Sequence, residues 1–161
     1  MAGNITEKLG TNGQTLTITL ASLTNNSLRQ STVIDNTSDL FQDVLLMLKI
    51  KSGASSTVST GVVNVYAYAT VDNGTTYTDT ATGTDGAITP TSPTNLRFLG
   101  QLNVVANSTT YVGGPWSIAA AFGGIMPAKW GIVVENKTGG TLDATEGSHA
   151  KLYQGIYSQY T

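Results

Sequence analysis

Short runs of alternating apolar and polar residues recur along this chain, separated by clusters of Gly, Asn, Asp and Pro. TLTITL (15–20) alternates strictly. It places Leu16, Ile18 and Leu20 on one face and threonines on the other, the period of a half-buried strand. Asn25-Asn26-Ser27 marks a turn, and a second strand is expected over 28–34. VVNVYAYATV (62–71) reads as a strand with Val63, Val65, Ala67, Ala69 and Val71 on one face. Asn64, Tyr66, Tyr68 and Thr70 take the other. A Thr/Asp/Gly-rich excursion follows over 72–95. Further strands are expected over 96–105, 108–112, 116–122, 129–135 and 149–157. Residues 122–127 read as a turn or short 3-10 connection, and the last two strands as joined by a hairpin-like loop through 136–140.

Residues 40–51, LFQDVLLMLKIK, fit two patterns. Good helix formers, a possible cap at Ser38 or Asp39 and a stop at Gly53 suit a helix. Alternation suits a strand, with Val44, Leu46, Leu48 and Ile50 on one face. The strand is favoured, because its surroundings are strand-like and the alternation runs through Lys51. About eight strands result, and the expected fold is all-β: a two-sheet, jelly-roll-like β-sandwich. Residues 1–14 read as an extended N-terminal arm and 15–161 as one sandwich domain. No repeat suggests a propeller or β-helix.

Composition narrows the chemistry. Only 11% of the 161 residues are charged and the net charge is −2, against about 25% charged residues in an average globular protein. No basic stripe is present, so binding to nucleic acid through phosphate contacts is not expected. There is no cysteine, which removes disulfides and thiolate chemistry. The start, MAGNITEKLGTNGQ, lacks the apolar core of a signal peptide. No apolar run approaches the length of a membrane helix. Neither a membrane nor a small-molecule substrate is expected as a partner.

Candidate sites are few. Thr70-Val71-Asp72-Asn73-Gly74-Thr75-Thr76-Tyr77 resembles an Asp-box, in which Asp72 accepts backbone N–H groups across a hairpin turn, Gly74 supplies positive φ and Tyr77 packs beneath. Its role is structural even where the box recurs in sialidases. Asp72, Asn73, Asp79 and Asp85 lack the spacing of a calcium loop, so no metal or other cofactor is expected. His149 is the one histidine, and no G-x-S-x-G or H-E-x-x-H motif accompanies it. No catalytic residue is assigned. Trp116 and Trp130 are read as packing groups in the core or at a subunit contact, together with Pro115, Pro127 and Gly131.

The block 115–157 carries more than packing. PWSIAAAFGG, PAKWGIVVENKTGGTLDAT and KLYQGIY resemble a widespread family of small structural proteins of tailed bacteriophages. The similarity extends upstream through DLFQDVLLMLKIKSG, VNVYAYATVDNGTTYTD and SPTNLRFLGQLNVVANSTTYV, so it covers most of the chain from Asp39. It implies a non-enzymatic virion component assembled in the host cytoplasm, self-associating and attached to the capsid, connector or tail. It transfers no catalytic residues. The alternative is a receptor- or carbohydrate-binding sandwich, which exposed rings at Tyr66, Tyr68, Tyr77 or Trp116 would favour.

Overall fold

A computed structural model describes residues 3–160. Of the segment read as an arm, residues 1 and 2 lie outside the described residues, as does residue 161. Eleven strands follow along them: β1 (Ile5–Leu9), β2 (Gln14–Thr15), β3 (Leu28–Gln30), β4 (Ile34–Asp35), β5 (Asp43–Lys51), β6 (Val62–Thr70), β7 (Gly86–Ile88), β8 (Arg97–Asn103), β9 (Thr110–Ser117), β10 (Lys129–Lys137) and β11 (Ala150–Tyr160). One helical turn, α1 (Ile118–Ala121), follows β9, and a 3-10 turn (Glu146–Ser148) precedes β11.

The strands form two antiparallel sheets. In the first, β11 lies between β5 and the short β1 and β2, with β9 beyond β5. In the second, the order is β7-β3-β10-β6-β8, with β4 also on β10. Without β1, β4 and β7, the neighbours read β2-β11-β5-β9 and β3-β10-β6-β8. The chain moves between the sheets in the order of an eight-stranded jelly roll. The expected all-β, two-sheet sandwich is therefore the fold.

Residues 40–51 are strand where they are regular: β5 buries Val44, Leu46, Leu48 and Ile50, the face the alternation named. Other expectations need correction. Over 16–20 the alternation describes burial but not a ladder. Leu16, Ile18 and Leu20 are buried, yet only Gln14–Thr15 pairs as a strand. Beyond it the backbone crosses between sheets. The Leu16 N–H donates to the Lys151 carbonyl (2.9 Å), and the Thr17 carbonyl accepts from the Thr32 N–H (2.8 Å). The strand expected over 28–34 splits, because Thr32 and Val33 donate to Thr17 and Gly83 instead of β10.

The strand expected over 116–122 stops at Ser117, where α1 begins. The Ser117 side chain caps that turn by accepting the Ala120 N–H (3.0 Å). β10 and β11 are not a hairpin: they belong to different sheets, and residues 138–149 cross between them. Val71, placed by alternation on the inner face, is 99% exposed, because β6 ends at Thr70 and the turn begins. Part of the segment read as an arm is a strand of this chain's own sheet, as β1 pairs with the end of β11 from Ile5↔Tyr160 to Leu9↔Ile156.

Two apolar clusters hold the layers. The larger lies between the sheets and includes Leu16, Leu46, Leu48, Ile50, Trp130 and Ile132. The smaller lies on the outer face of the second sheet, where Tyr68 and Val133 meet Ile88 and Leu96. Residues 71–96 fold back over that face and bury it. The excursion is thus a third layer, fastened by β7 on β3.

Candidate interaction surfaces

The residues singled out in the sequence occupy packing positions. Trp130 is fully buried between the sheets, with its ring edge-on to Tyr153 at a centroid distance of 5.7 Å. Its indole N–H finds no acceptor among the described residues. Gly131, next along β10, faces the opposite side. A Cβ there would come within 2.3 Å of the Tyr68 ring. Tyr68 can lie across β10 only because that position has no side chain, and its hydroxyl then donates to the Ser31 carbonyl (2.7 Å). Burial raises the Tyr68 phenol above its ordinary range.

Trp116 is half-buried and closes the β8–β9 edge of the sandwich. A Cβ on Gly100 would meet its indole nitrogen at 2.2 Å. Pro115 sits with Gly114 in a β-bulge, where the β5–β9 register shifts between Leu46 and Leu48. The extra residue turns Trp116 inward, a common use of bulges. Pro127 lines a groove with Val71, Tyr77, Arg97, Phe122 and Ile125, of about 810 Å³.

Asp72 stands at the turn after β6. It accepts the Thr70 hydroxyl (2.6 Å) and the N–H groups of Thr76 (2.9 Å) and Thr75 (3.0 Å). These bonds, that of Thr70 foremost, hold its carboxyl well below the ordinary range. Gly74 has φ +96°, and Tyr77 packs edge-on against Tyr68 at 5.7 Å. Of the four rings whose exposure would favour a binding platform, Tyr68 is buried and Tyr66, Tyr77 and Trp116 are half-buried. The acidic residues of the excursion are not gathered either. No group of three His, Cys, Asp or Glu is placed to hold a metal among the described residues.

Several polar residues the sequence did not single out hold the connections. Glu146 accepts the N–H groups of Leu20 (2.8 Å) and Ala21 (2.7 Å) and pairs with the buried Lys151. Asp85 takes the Thr19 hydroxyl (2.6 Å) and the Arg29 guanidinium (2.6 Å). Asp79 gathers Thr91, Thr94 and the Asn95 N–H. Buried Asn136 donates to the carbonyls of Leu23 and Gly140 (both 2.8 Å). His149 accepts the Lys51 N–H at Nδ1 (3.3 Å), which leaves Nε2 to donate to the Asp143 carbonyl (3.1 Å). Carboxylates beside backbone N–H groups are ordinary loop chemistry. Only the fold shows which strands they join, since Glu146 lies 126 positions from Leu20.

These carboxylates set the acid response. The Lys51 ammonium, with the Thr145 N–H, holds the Asp143 carboxyl at about 2. Burial raises Asp79, but its hydrogen bonds outweigh that and bring it to about 2. A carboxyl depressed in the folded chain stabilises it above the ordinary value and stops doing so as pH falls through the folded value. Urea midpoints are therefore expected to be level down to about pH 4 and to fall between there and about 2. A midpoint unchanged to pH 2 would contradict this.

Large apolar side chains are left exposed unevenly. Among the described residues twelve are exposed, and six of them, Ile5, Leu9, Met47, Val112, Leu152 and Tyr160, lie on the outer face of the first sheet. Directly opposed residues of antiparallel strands share a face. Ile5↔Tyr160, Leu9↔Ile156 and Leu152↔Met47 therefore form one row along β11, with Val112 beyond β5. Comparison with protein-family models, characterised proteins and solved structures finds no match to this chain.

Proposed function

We propose that this chain is a non-enzymatic structural component of a tailed-phage particle, associating with itself and attaching to the capsid, neck or tail. The particle assignment is supported by the family resemblance of residues 39–157. Self-association is supported chiefly by the uneven covering of the two sheets. The chain buries the outer face of the second sheet under its own excursion, yet leaves a row of large apolar groups bare on the first. Apolar patches of this extent mark interaction surfaces. A chemistry-poor sandwich whose carboxylates cap its own backbone suits a scaffold role. The glycan-binding alternative draws no support from the aromatic rings, which are used in packing.

The test is direct. Gold-labelled antibody to the recombinant chain is expected to decorate purified particles of a phage that encodes it. Label scattered over the shell would assign decoration, and label at one vertex the neck or tail. Particles that carry neither the label nor the chain's peptides by mass spectrometry would overturn the reading.

A further inference from the structure

From the bare face of the first sheet we infer a two-fold dimer, in which this face packs on the same face of a second copy. The dimer rests on the self-association proposed above and does not depend on where the chain sits in a particle.

The face is apolar along its length. Ile5 and Tyr160 stand at one end, 76% and 72% exposed, and Val112 at the other, 62% exposed. Together with Leu9, Met47 and Leu152, these groups present several hundred Å² of surface. That is of the order buried by each partner of a standard interface, ~800 Å². Sheets packing face to face in this way form the interior of every β-sandwich.

The charges on the face select a second copy as the occupant. Four charged side chains belong to these outward rows: Glu7, Asp43, Lys49 and Lys51. Asp43 is used within the chain, accepting the N–H groups of Val44 and Ala119. Lys51 pairs with Asp143. Glu7 and Lys49 make no ion pair among the described residues. Glu7 stands opposite Ser158, and Lys49 opposite Ala150. Gln154 is midway between those positions, and the two charges flank β11 on opposite sides. A two-fold axis lying in the interface past Gln154, perpendicular to the line from Glu7 to Lys49 and so running across the strands, brings Glu7 of each copy over Lys49 of the other. Two ion pairs form from the two unpaired charges of each copy, at opposite ends of an apolar strip.

Joining edge to edge through β1 does not offer this. The symmetric antiparallel registers centred inside that strand put Glu7 against Glu7 or Lys8 against Lys8, or set Ile5 against Glu7 about a central Thr6, and those centred on its ends, Ile5 or Leu9, pair only part of it. Like charges directly opposed are unfavourable. The isologous patch is the outer face and not the edge.

The whole chain is expected to sediment as a dimer at micromolar concentration and low salt. Met47→Glu, at the centre of the strip, should give a monomer with an unchanged circular dichroism spectrum, melting as the wild type does once diluted below its dimer dissociation constant. Glu7→Lys and Lys49→Glu should each weaken the dimer about tenfold or more, because each sets two like charges together twice. The double variant Glu7→Lys/Lys49→Glu should recover most of the loss. A monomeric wild-type chain would overturn the proposal, and so would a Met47→Glu variant that stays dimeric. A double swap no tighter than either single variant would overturn it as well. A monomer that still labels particles would remove the dimer alone and leave the particle assignment standing.

Discussion

Trp130→Ala is expected to lower the unfolding free energy by about 3–5 kcal/mol, a large share of the ~5–15 kcal/mol typical of a domain. Three losses combine. The indole is fully buried between the sheets, so the transfer free energy of its atoms is forfeited. Its neighbours, among them Ile132 of β10 and residues of the facing sheet, are strands fixed by ladder hydrogen bonds and cannot collapse into the void. The edge-on contact with Tyr153 is also lost, worth about 0.5–1.5 kcal/mol. Trp130→Phe separates volume from polarity. It leaves a smaller cavity and removes an indole N–H that has no acceptor among the described residues, so it should cost clearly less than alanine. Urea denaturation of both variants checks the order. If alanine cost under about 1 kcal/mol, or phenylalanine cost as much, Trp130 would not be the packing centre between the sheets.

Glu146→Gln should cost about 2–3 kcal/mol. A fully buried pair broken at one partner costs ~3–5 kcal/mol, but the Glu146 side chain is 39% exposed, which reduces the figure. What remains is large because Lys151 is nearly buried and would keep its charge without an anion. The amide also presents one acceptor oxygen where the carboxylate serves Leu20, Ala21 and Lys151 with two. The reverse change is milder: Lys151→Met leaves Glu146 bound to two N–H groups and partly in water, and removes a buried cation. Glu146→Gln should therefore be more destabilising than Lys151→Met. Burial raises the Glu146 carboxyl, but Lys151 and the two N–H groups outweigh it and leave it below its ordinary range. Its contribution is present above that ordinary value and disappears as pH falls through the depressed one. The gap between wild type and Glu146→Gln should accordingly narrow in acid. A gap independent of pH would mean that the pair is not the source.

Legibility followed the range of the physics involved. The inward face of β5 was readable because Val44, Leu46, Leu48 and Ile50 alternate over a run long enough to favour a strand over a helix of the same composition. In β6, Val63, Val65 and Ala67 were readable for the same reason. The buried face over 16–20 was visible, but its partners were not. A ladder depends on what lies alongside, and there the two sheets and two distant carboxylates share the backbone. The short strands β4 and β7 and the turn α1 had too few residues to show a period. Tyr68 sat on what alternation called the polar face. It is buried because residues 71–96 return to cover it, with Gly131 making room.

Of the site, the sequence marked Trp116, Trp130, Pro115 and the Asp72 turn through residue type and local spacing. It did not mark Glu146, Asp85 or Asn136, whose partners lie far away in the chain.

By itself, then, the sequence determined the all-β class, the inward faces of β5 and of most of β6, and the poverty of its acid–base chemistry. Each is set by composition or by a period of two, and both are local properties. The tertiary structure decided the sheet to which each strand belongs, the separation of β10 from β11, the covering of one outer face and the exposure of the other. Those depend on long-range pairing and on which apolar surfaces find a partner within the same chain. Exposed Ile5, Leu9, Met47, Val112, Leu152 and Tyr160 look no different in the sequence from buried residues of the same types. They become one surface only when β1, β5, β9 and β11 lie side by side.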